Sequence, residues 1–173
     1  MKVSYRGKDF SVAEGRIRKN GRAIEYAEVV EPDVAVILPI LENETILIER
    51  NFRPVLGKFI YELPAGHLNR GEKPAEAAKR ELAEETGYRA KTLRLEFVAY
   101  STPGRSKSKF YHFVASGLCK GSTHLDKDEI ISIRRIKIGK ALGMIRSKQI
   151  MDEKSIAFLE YYARGKVHGR GTV

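Results

Sequence analysis

The sequence predicts a mixed α/β (α+β) fold, with sheet packed between helices. Three observations carry this. Val34 to Leu41 (VAVILPIL) is a nearly continuous apolar run of strand length, the pattern of a strand buried on both faces. One strong helical segment opens at Pro74 and stops at Gly87. Strand-like segments lie on both sides of that helix and two amphipathic helical segments close the chain, so sheet and helices must cover one another.

Taken in order, residues 2–30 read as strands, with Val3 and Tyr5 alternating with polar residues and Phe10, Val12 and Ile17 continuing apolar. Lys19-Asn20-Gly21-Arg22 is a hairpin, because Asn-Gly supplies the positive φ angles of a type I′ turn. Ile24, Tyr26, Val29 and Val30 resume the strand, and Glu31-Pro32-Asp33 breaks it. So small an antiparallel sheet cannot bury itself and should dock on the main domain or on a second subunit. After Val34–Leu41, Glu42-Asn43-Glu44 turns into a strand over Thr45–Glu49, and Phe59-Ile60-Tyr61 forms a short strand. Gly66 to Gly71 reads as loop. Pro74 suits a first helical position, and Ala75, Ala77, Ala78, Leu82 and Ala83 are strong helix formers. Thr92–Tyr100 is a strand with a period of two through Leu93, Leu95, Phe97 and Ala99. Ser101-Thr102-Pro103-Gly104 suits a type II turn. Phe110–Ala115 is a strand, Gly117–Gly121 a loop, and Ile130 to Ile136 a strand pair or bent strand. Lys140–Arg146 and Asp152–Ala163 are amphipathic helices whose apolar sets read as core faces. The organisation expected is an N-terminal sheet over 1–32, a main domain over 33–165 and a basic tail over 166–173.

Composition narrows the class. With 173 residues and 42% hydrophobic content the chain can bury a real core and is not disordered. No apolar run reaches the ~18 residues that span a bilayer, and MKVSYRGKDF lacks the apolar stretch of a secretory signal. Cys119 is the single cysteine, which excludes an intrachain disulfide and a cysteine metal site. A cytoplasmic location is the expectation. Net charge is +10, which favours polyanionic partners such as phosphate-bearing substrates, with nucleic acid a second class.

The chemistry concentrates between Gly66 and Tyr88, GHLNRGEKPAEAAKRELAEETGY. Glu81, Glu84 and Glu85 stand at i, i+3 and i+4, which puts three carboxylates on roughly one face of a helix. Their repulsion would become coordination around a hard divalent cation, Mg²⁺ above all or Mn²⁺ in its place. The order Gly66, five residues, Glu72, seven residues, Arg80-Glu81-Leu82, one residue, Glu84-Glu85, one residue, Gly87 resembles the Nudix box. Tyr88 departs from it, standing where the family usually has an aliphatic residue. The resemblance implies an α/β/α sandwich and metal-dependent hydrolysis of a nucleoside diphosphate linked to another group. It implies Glu81, Glu85 and the Ala65 carbonyl as metal ligands, and Glu84 at a second metal or as base. Gly66, Glu72, Arg80 and Gly87 would be structural, Glu72 pairing with Arg80 or reaching a metal through water.

Glu62-Leu63-Pro64-Ala65-Gly66, Arg53 in an Asn-Phe-Arg context, Pro103 fifteen residues beyond Tyr88, and Met151-Asp152-Glu153-Lys154-Ser155 look like the ADP-ribose pyrophosphatase subgroup. That resemblance implies ADP-ribose cleaved to AMP and ribose 5-phosphate. Arg53 would fork a phosphate, Glu62 would reach a ribose hydroxyl or a metal, and Pro103 and Gly104 would line the substrate. Arg53 could equally pair with Glu49 or Glu62, and Pro103 could only shape a turn. An acid usual near Ser108 is absent, and the basic Arg105–Lys109 loop could grip phosphate instead. The base would come from His124–Glu129, Glu129 first and Asp128 second. A homodimer through the N-terminal sheet is implied too. The alternatives are a Nudix hydrolase of a nucleotide sugar, dinucleoside polyphosphate or capped RNA, and a non-catalytic nucleotide- or RNA-binding module.

Overall fold

The computed structural model describes residues 2–121 and 130–167. It contains three sheets. The strands β1 (Lys2–Arg6), β2 (Ser11–Lys19) and β3 (Arg22–Val30) form the first in that order, antiparallel throughout. Asn20 and Gly21 turn β2 into β3 with φ of 51° and 75°, as the type I′ expectation requires. The second sheet runs β10-β5-β6, where β5 is Thr45–Arg53, β6 Lys58–Glu62 and β10 Ile131–Lys137. The third runs β7-β4-β9-β8, from β4 (Val34–Pro39), β7 (Ala65–His67), β8 (Tyr88–Tyr100) and β9 (Lys109–Lys120), with β4 and β9 parallel. Helix α1 is Pro74–Thr86, α2 Ile138–Arg146 and α3 Glu153–Val167.

Every residue of β4 is buried because its two faces enter two different cores. Val34, Val36 and Leu38 pack with Ile46 and Ile48 of β5 and with Ala141, Met144, Phe158 and Leu159 of α2 and α3. Ala35 and Ile37 pack on Ala77, Ala78 and Leu82 of α1. This gives the helix–sheet–helix layering the apolar run predicted, and each fully buried aliphatic side chain is worth ~1.5–3 kcal/mol.

Several boundaries differ from the sequence reading. β5 extends to Arg53 and β9 to Lys120, since each finds a long partner strand. Gly66 and His67, expected as the start of a loop, instead join Ala65 in a short strand paired with β4. The turn at Pro103-Gly104 is not type II: Gly104 is absent from the positive-φ residues, and the amides of both Arg105 and Ser106 donate to the Thr102 carbonyl. The period of two in β8 is broken by a bulge between Leu95 and Phe97. One extra residue there reverses the side-chain face. Leu93 lies against the α1 core, whereas Phe97 turns to the other layer and meets Phe158 and Tyr161 of α3. Tyr88, the departure from the motif, is buried, and Arg135 of β10 donates to its hydroxyl.

The N-terminal sheet is fastened to the main domain by the basic loop. Val29 N–H donates to the Arg105 carbonyl at 2.7 Å, and Lys107 Nζ lies 2.8 Å from Glu28 Oε2. Ser108 Oγ donates to the Pro32 carbonyl at 2.7 Å, where a carboxylate would face another acceptor.

Phe97 stacks on His112 at 4.1 Å between ring centroids. Burial, partly offset by the carbonyls of Phe110 and Phe97, pushes the imidazole from 6.5 down to about 4. Between those values the unfolded chain binds a proton that the folded chain refuses. The stability is therefore full above about pH 6.5 and lost as pH falls toward 4, on the order of 3 kcal/mol. His112→Gln should flatten the pH dependence of Tm across that window, and thermal melts from pH 7.5 to 4 check this; parallel curves would reject it.

Candidate active site

The site is built on the buried edge of α1. Pro74 occupies the first turn, Glu76 reaches back to the Lys73 N–H at 3.1 Å, and Gly87 ends the helix at φ 71° with its N–H on the Ala83 carbonyl. Ala77, Ala78, Glu81, Leu82 and Glu85 share the buried stripe. Glu81 and Glu85, one turn apart, therefore lie inward, while the Glu84 side chain is 40% exposed.

Two backbone features receive these acids. Ala65 N–H donates to Glu85 Oε2 at 3.1 Å. The Glu81 carboxylate lies over Gly66 so closely that a Cβ there would sit 1.9 Å from its Oε1. The glycine is needed for this close approach rather than for an unusual φ.

Arg80 ties the loop before α1 to the helix. Its Nε donates to Glu72 Oε1 (2.9 Å), Nη1 to Glu81 (2.6 Å) and Glu84 (3.1 Å), and Nη2 to Glu72 Oε2 and the His67 carbonyl (both 2.9 Å). These five bonds use all five N–H groups of a guanidinium. Glu72, Glu81, Glu84 and the His67 carbonyl take all of them. Hydrogen bonding from Arg80 is the largest cause holding the Glu72 carboxyl low, and Glu72 in turn raises Arg80.

A cleft of about 720 Å³ opens in front of these groups. Ala65, Gly66 and Glu81 line it. So do Arg53, Asp152 and Lys154, and Phe97, Tyr100 and His112. Arg53 is held by Glu62 in a two-bond fork, Nε to Oε1 and Nη2 to Oε2, both 2.8 Å. Burial opposes its charge, but the Glu62 hydrogen bond and attraction outweigh that and raise its pKa. The pairing alternative thus occurs, with Glu62 and not Glu49; three guanidinium N–H groups remain beyond the two used.

Pro103 and Gly104 are exposed and do not line the cleft, whereas their neighbours Ser101 and Thr102 do. Lys107 is engaged by Glu28 and not turned to the cleft. Asp128 and Glu129 lie outside the described residues. Asp152 and Lys154 enter the sequence reading only within the Met151–Ser155 resemblance, with no role of their own. Phe97 was hidden by the bulge.

Among the described residues no three His, Cys, Asp or Glu side chains form a ready metal cage. The donor set still suits a hard dication, because Mg²⁺ is commonly held by one or two carboxylates, water and substrate phosphates. Glu81 and Glu85, both buried and both oxygen donors beside the Ala65–Gly66 backbone, match that requirement.

The NUDIX domain model matches residues 31–157. An ADP-ribose pyrophosphatase of Bacillus subtilis (strain 168) is 33% identical over 82% of this chain and 78% of that protein. A methanol dehydrogenase activator of Bacillus methanolicus is 32% identical over the same shares. A GDP-mannose pyrophosphatase of Yersinia enterocolitica is 31% identical over 88% of this chain and 84% of that one. The fold superposes on a crystal structure of an ADP compounds hydrolase with a TM-score of 0.83, at 22% identity, over 98% of this chain and 94% of the other.

Arg80→Lys keeps the charge but offers three donors for five bonds. It should cost about 3–6 kcal/mol, the loss of two charge-assisted hydrogen bonds. Denaturant unfolding measures this, and wild-type stability in the variant would remove Arg80 from its central position.

Proposed function

The chain belongs to the Nudix family of hydrolases, and from that premise we propose that it hydrolyses the pyrophosphate of ADP-ribose to AMP and ribose 5-phosphate. The observation that carries the reading is the cleft itself: Glu81 lines it together with Arg53 and Lys154, and Glu85 lies one turn on along the same buried stripe of α1, bonded to the Ala65 N–H beside it. A diphosphate in the cleft would meet a metal-binding edge and a cationic edge. Water attacks one phosphorus, a new P–O bond forms, and the bridging P–O bond breaks with its electron pair leaving on the second phosphate.

In this reading Glu81 and Glu85 hold Mg²⁺, with the Ala65 carbonyl, and Glu84 serves a second ion or the base. The cation supplies charge neutralisation and a lowered pKa for bound water. Arg80 and Glu72 keep Glu81 in place. Glu129 is the proposed base for the attacking water, and Asp128 the second choice. Arg53 meets a phosphate with its outer N–H groups, and Glu62 orients it. Pro103 and Gly104 act through the turn that presents Ser101 and Thr102 to the cleft.

The N-terminal sheet exposes Val3, Tyr5, Phe10, Ile17, Ile24 and Val30, which supports a homodimer through that sheet. Among the described residues no helix is long and apolar enough to cross a membrane, in keeping with action on a nucleotide in the cytoplasm. A nucleotide-sugar hydrolase is the second reading, favoured by the similarity to a GDP-mannose pyrophosphatase.

The test is a product assay with Mg²⁺ on ADP-ribose, ADP-glucose, GDP-mannose, diadenosine polyphosphates and capped RNA, with EDTA as control. AMP mainly from ADP-ribose, abolished by EDTA, supports the proposal; turnover chiefly of another substrate replaces it. Glu85→Gln, which keeps an acceptor for the Ala65 N–H, should lower kcat by about 10²-fold or more with little change in Tm. A near-native rate would remove Glu85 from the site. Arg53→Ala should raise KM for ADP-ribose by about tenfold, the loss of one charge-assisted contact, and an unchanged KM would leave Arg53 a partner of Glu62 alone.

A further inference from the structure

We infer that Lys154 is a positioning residue: its ammonium fixes Glu62 and, through Glu62, sets the Arg53 guanidinium at the cleft wall. The inference deepens the proposed hydrolase reading and rests on it.

Lys154 Nζ lies 3.0 Å from Glu62 Oε2 and 2.8 Å from Asp152 Oδ1. Its side chain is 13% exposed and that of Glu62 only 1%. Burial works against the ammonium, but attraction from Asp152 and Glu62 prevails and its pKa is raised, so it stays charged. Charges therefore alternate along Arg53, Glu62, Lys154 and Asp152. Glu62 is neutralised from the interior side by Lys154. Without that cation, Arg53 would be the partner left to offset a buried carboxylate, and its charge would be drawn away from an incoming phosphate.

The far end of the series is anchored as well. Asp152 precedes α3, and its Oδ2 accepts the Ser155 N–H at 3.0 Å and the Ser155 hydroxyl at 2.5 Å. Ser155 Oγ in turn accepts the N–H of Leu63 at 2.7 Å, and Leu63 is the residue bonded to Glu62. The contacts close a ring that locks the end of β6 to the start of α3 and leaves Glu62 one arrangement. Stability is a poor reason for such a ring, because buried ion pairs seldom outperform apolar packing of equal volume. Its position explains it better: Arg53, Asp152 and Lys154 all line the cleft.

The test is a double-mutant cycle on Lys154→Met and Arg53→Ala, read as KM for ADP-ribose with Mg²⁺ and as Kd for ADP-ribose by calorimetry with EDTA. Lys154→Met alone should weaken both by about tenfold, as expected for one charge-assisted contact, with kcat changed less than KM. In the Arg53→Ala background the same substitution should have little further effect, because Lys154 acts through Arg53. Lys154→Arg should recover most of the affinity. Additive losses, or an unchanged Kd in Lys154→Met, overturn the inference. If Lys154→Met does not melt cooperatively, Asp152→Asn carries the same cycle with the same criteria. Wild-type protein that binds ADP-ribose but does not cleave it would defeat the hydrolase reading, and the Kd cycle would still decide the role of Lys154. Absence of binding by the wild-type protein overturns both.

Discussion

Arg80 holds together two segments that would otherwise repel or drift. Four of its five bonds go to the carboxylates of Glu72, Glu81 and Glu84 and the fifth to the His67 carbonyl. Three acids so near one another are tolerated because one planar cation satisfies them in fixed directions. The loop from His67 to Glu72 thereby acquires a defined path, and the carboxylate of Glu81 is pinned over Gly66. The rest of the site is referred to that corner: β7 pairs with β4 at Gly66, and Glu85 caps the amide of Ala65 one residue earlier.

The Arg53 side of the cleft follows similar chemistry with different residues. There a buried carboxylate, Glu62, is shared by a half-exposed guanidinium and a buried ammonium. The difference is in exposure. Arg80 is enclosed by its partners, whereas the Arg53 side chain is 43% exposed at the cleft and has donors beyond those Glu62 takes. One arginine thus spends all its donors inside the protein and the other lies half-exposed at the cleft, although both stand in ion pairs.

Around the cleft, packing decides the shape. β4 separates two cores, so α1 on one face and α3 on the other are held at a set distance by the same strand. The bulge in β8 sends Phe97 to the α3 side, where it stacks on His112 and lines the cleft. The basic loop, meanwhile, is turned to fastening the N-terminal sheet through Glu28, Val29 and Pro32. Its positive charge is part of the sheet's attachment, and Ser108 supplies the hydroxyl donor that the Pro32 carbonyl needs there.

The sequence by itself determined the central helix, its ends at Pro74 and Gly87, the doubly buried strand at Val34, the Asn20-Gly21 turn and the carboxylate face of Glu81 and Glu85. Each depends on local propensity or on a period within one element, which neighbouring residues encode. It also left two partners open for Arg53, and only the tertiary structure chose Glu62, because that choice depends on where β6 lies beside β5. The same holds for Phe97, whose face was set by a bulge that strand pairing with β9 imposes. It holds for Ser108, buried by contact with Pro32 across 76 positions, and for Lys154, which meets Glu62 across 92. Contacts of that separation leave no periodic trace in the chain, since they are specified by the packing of whole elements and not by spacing along one of them.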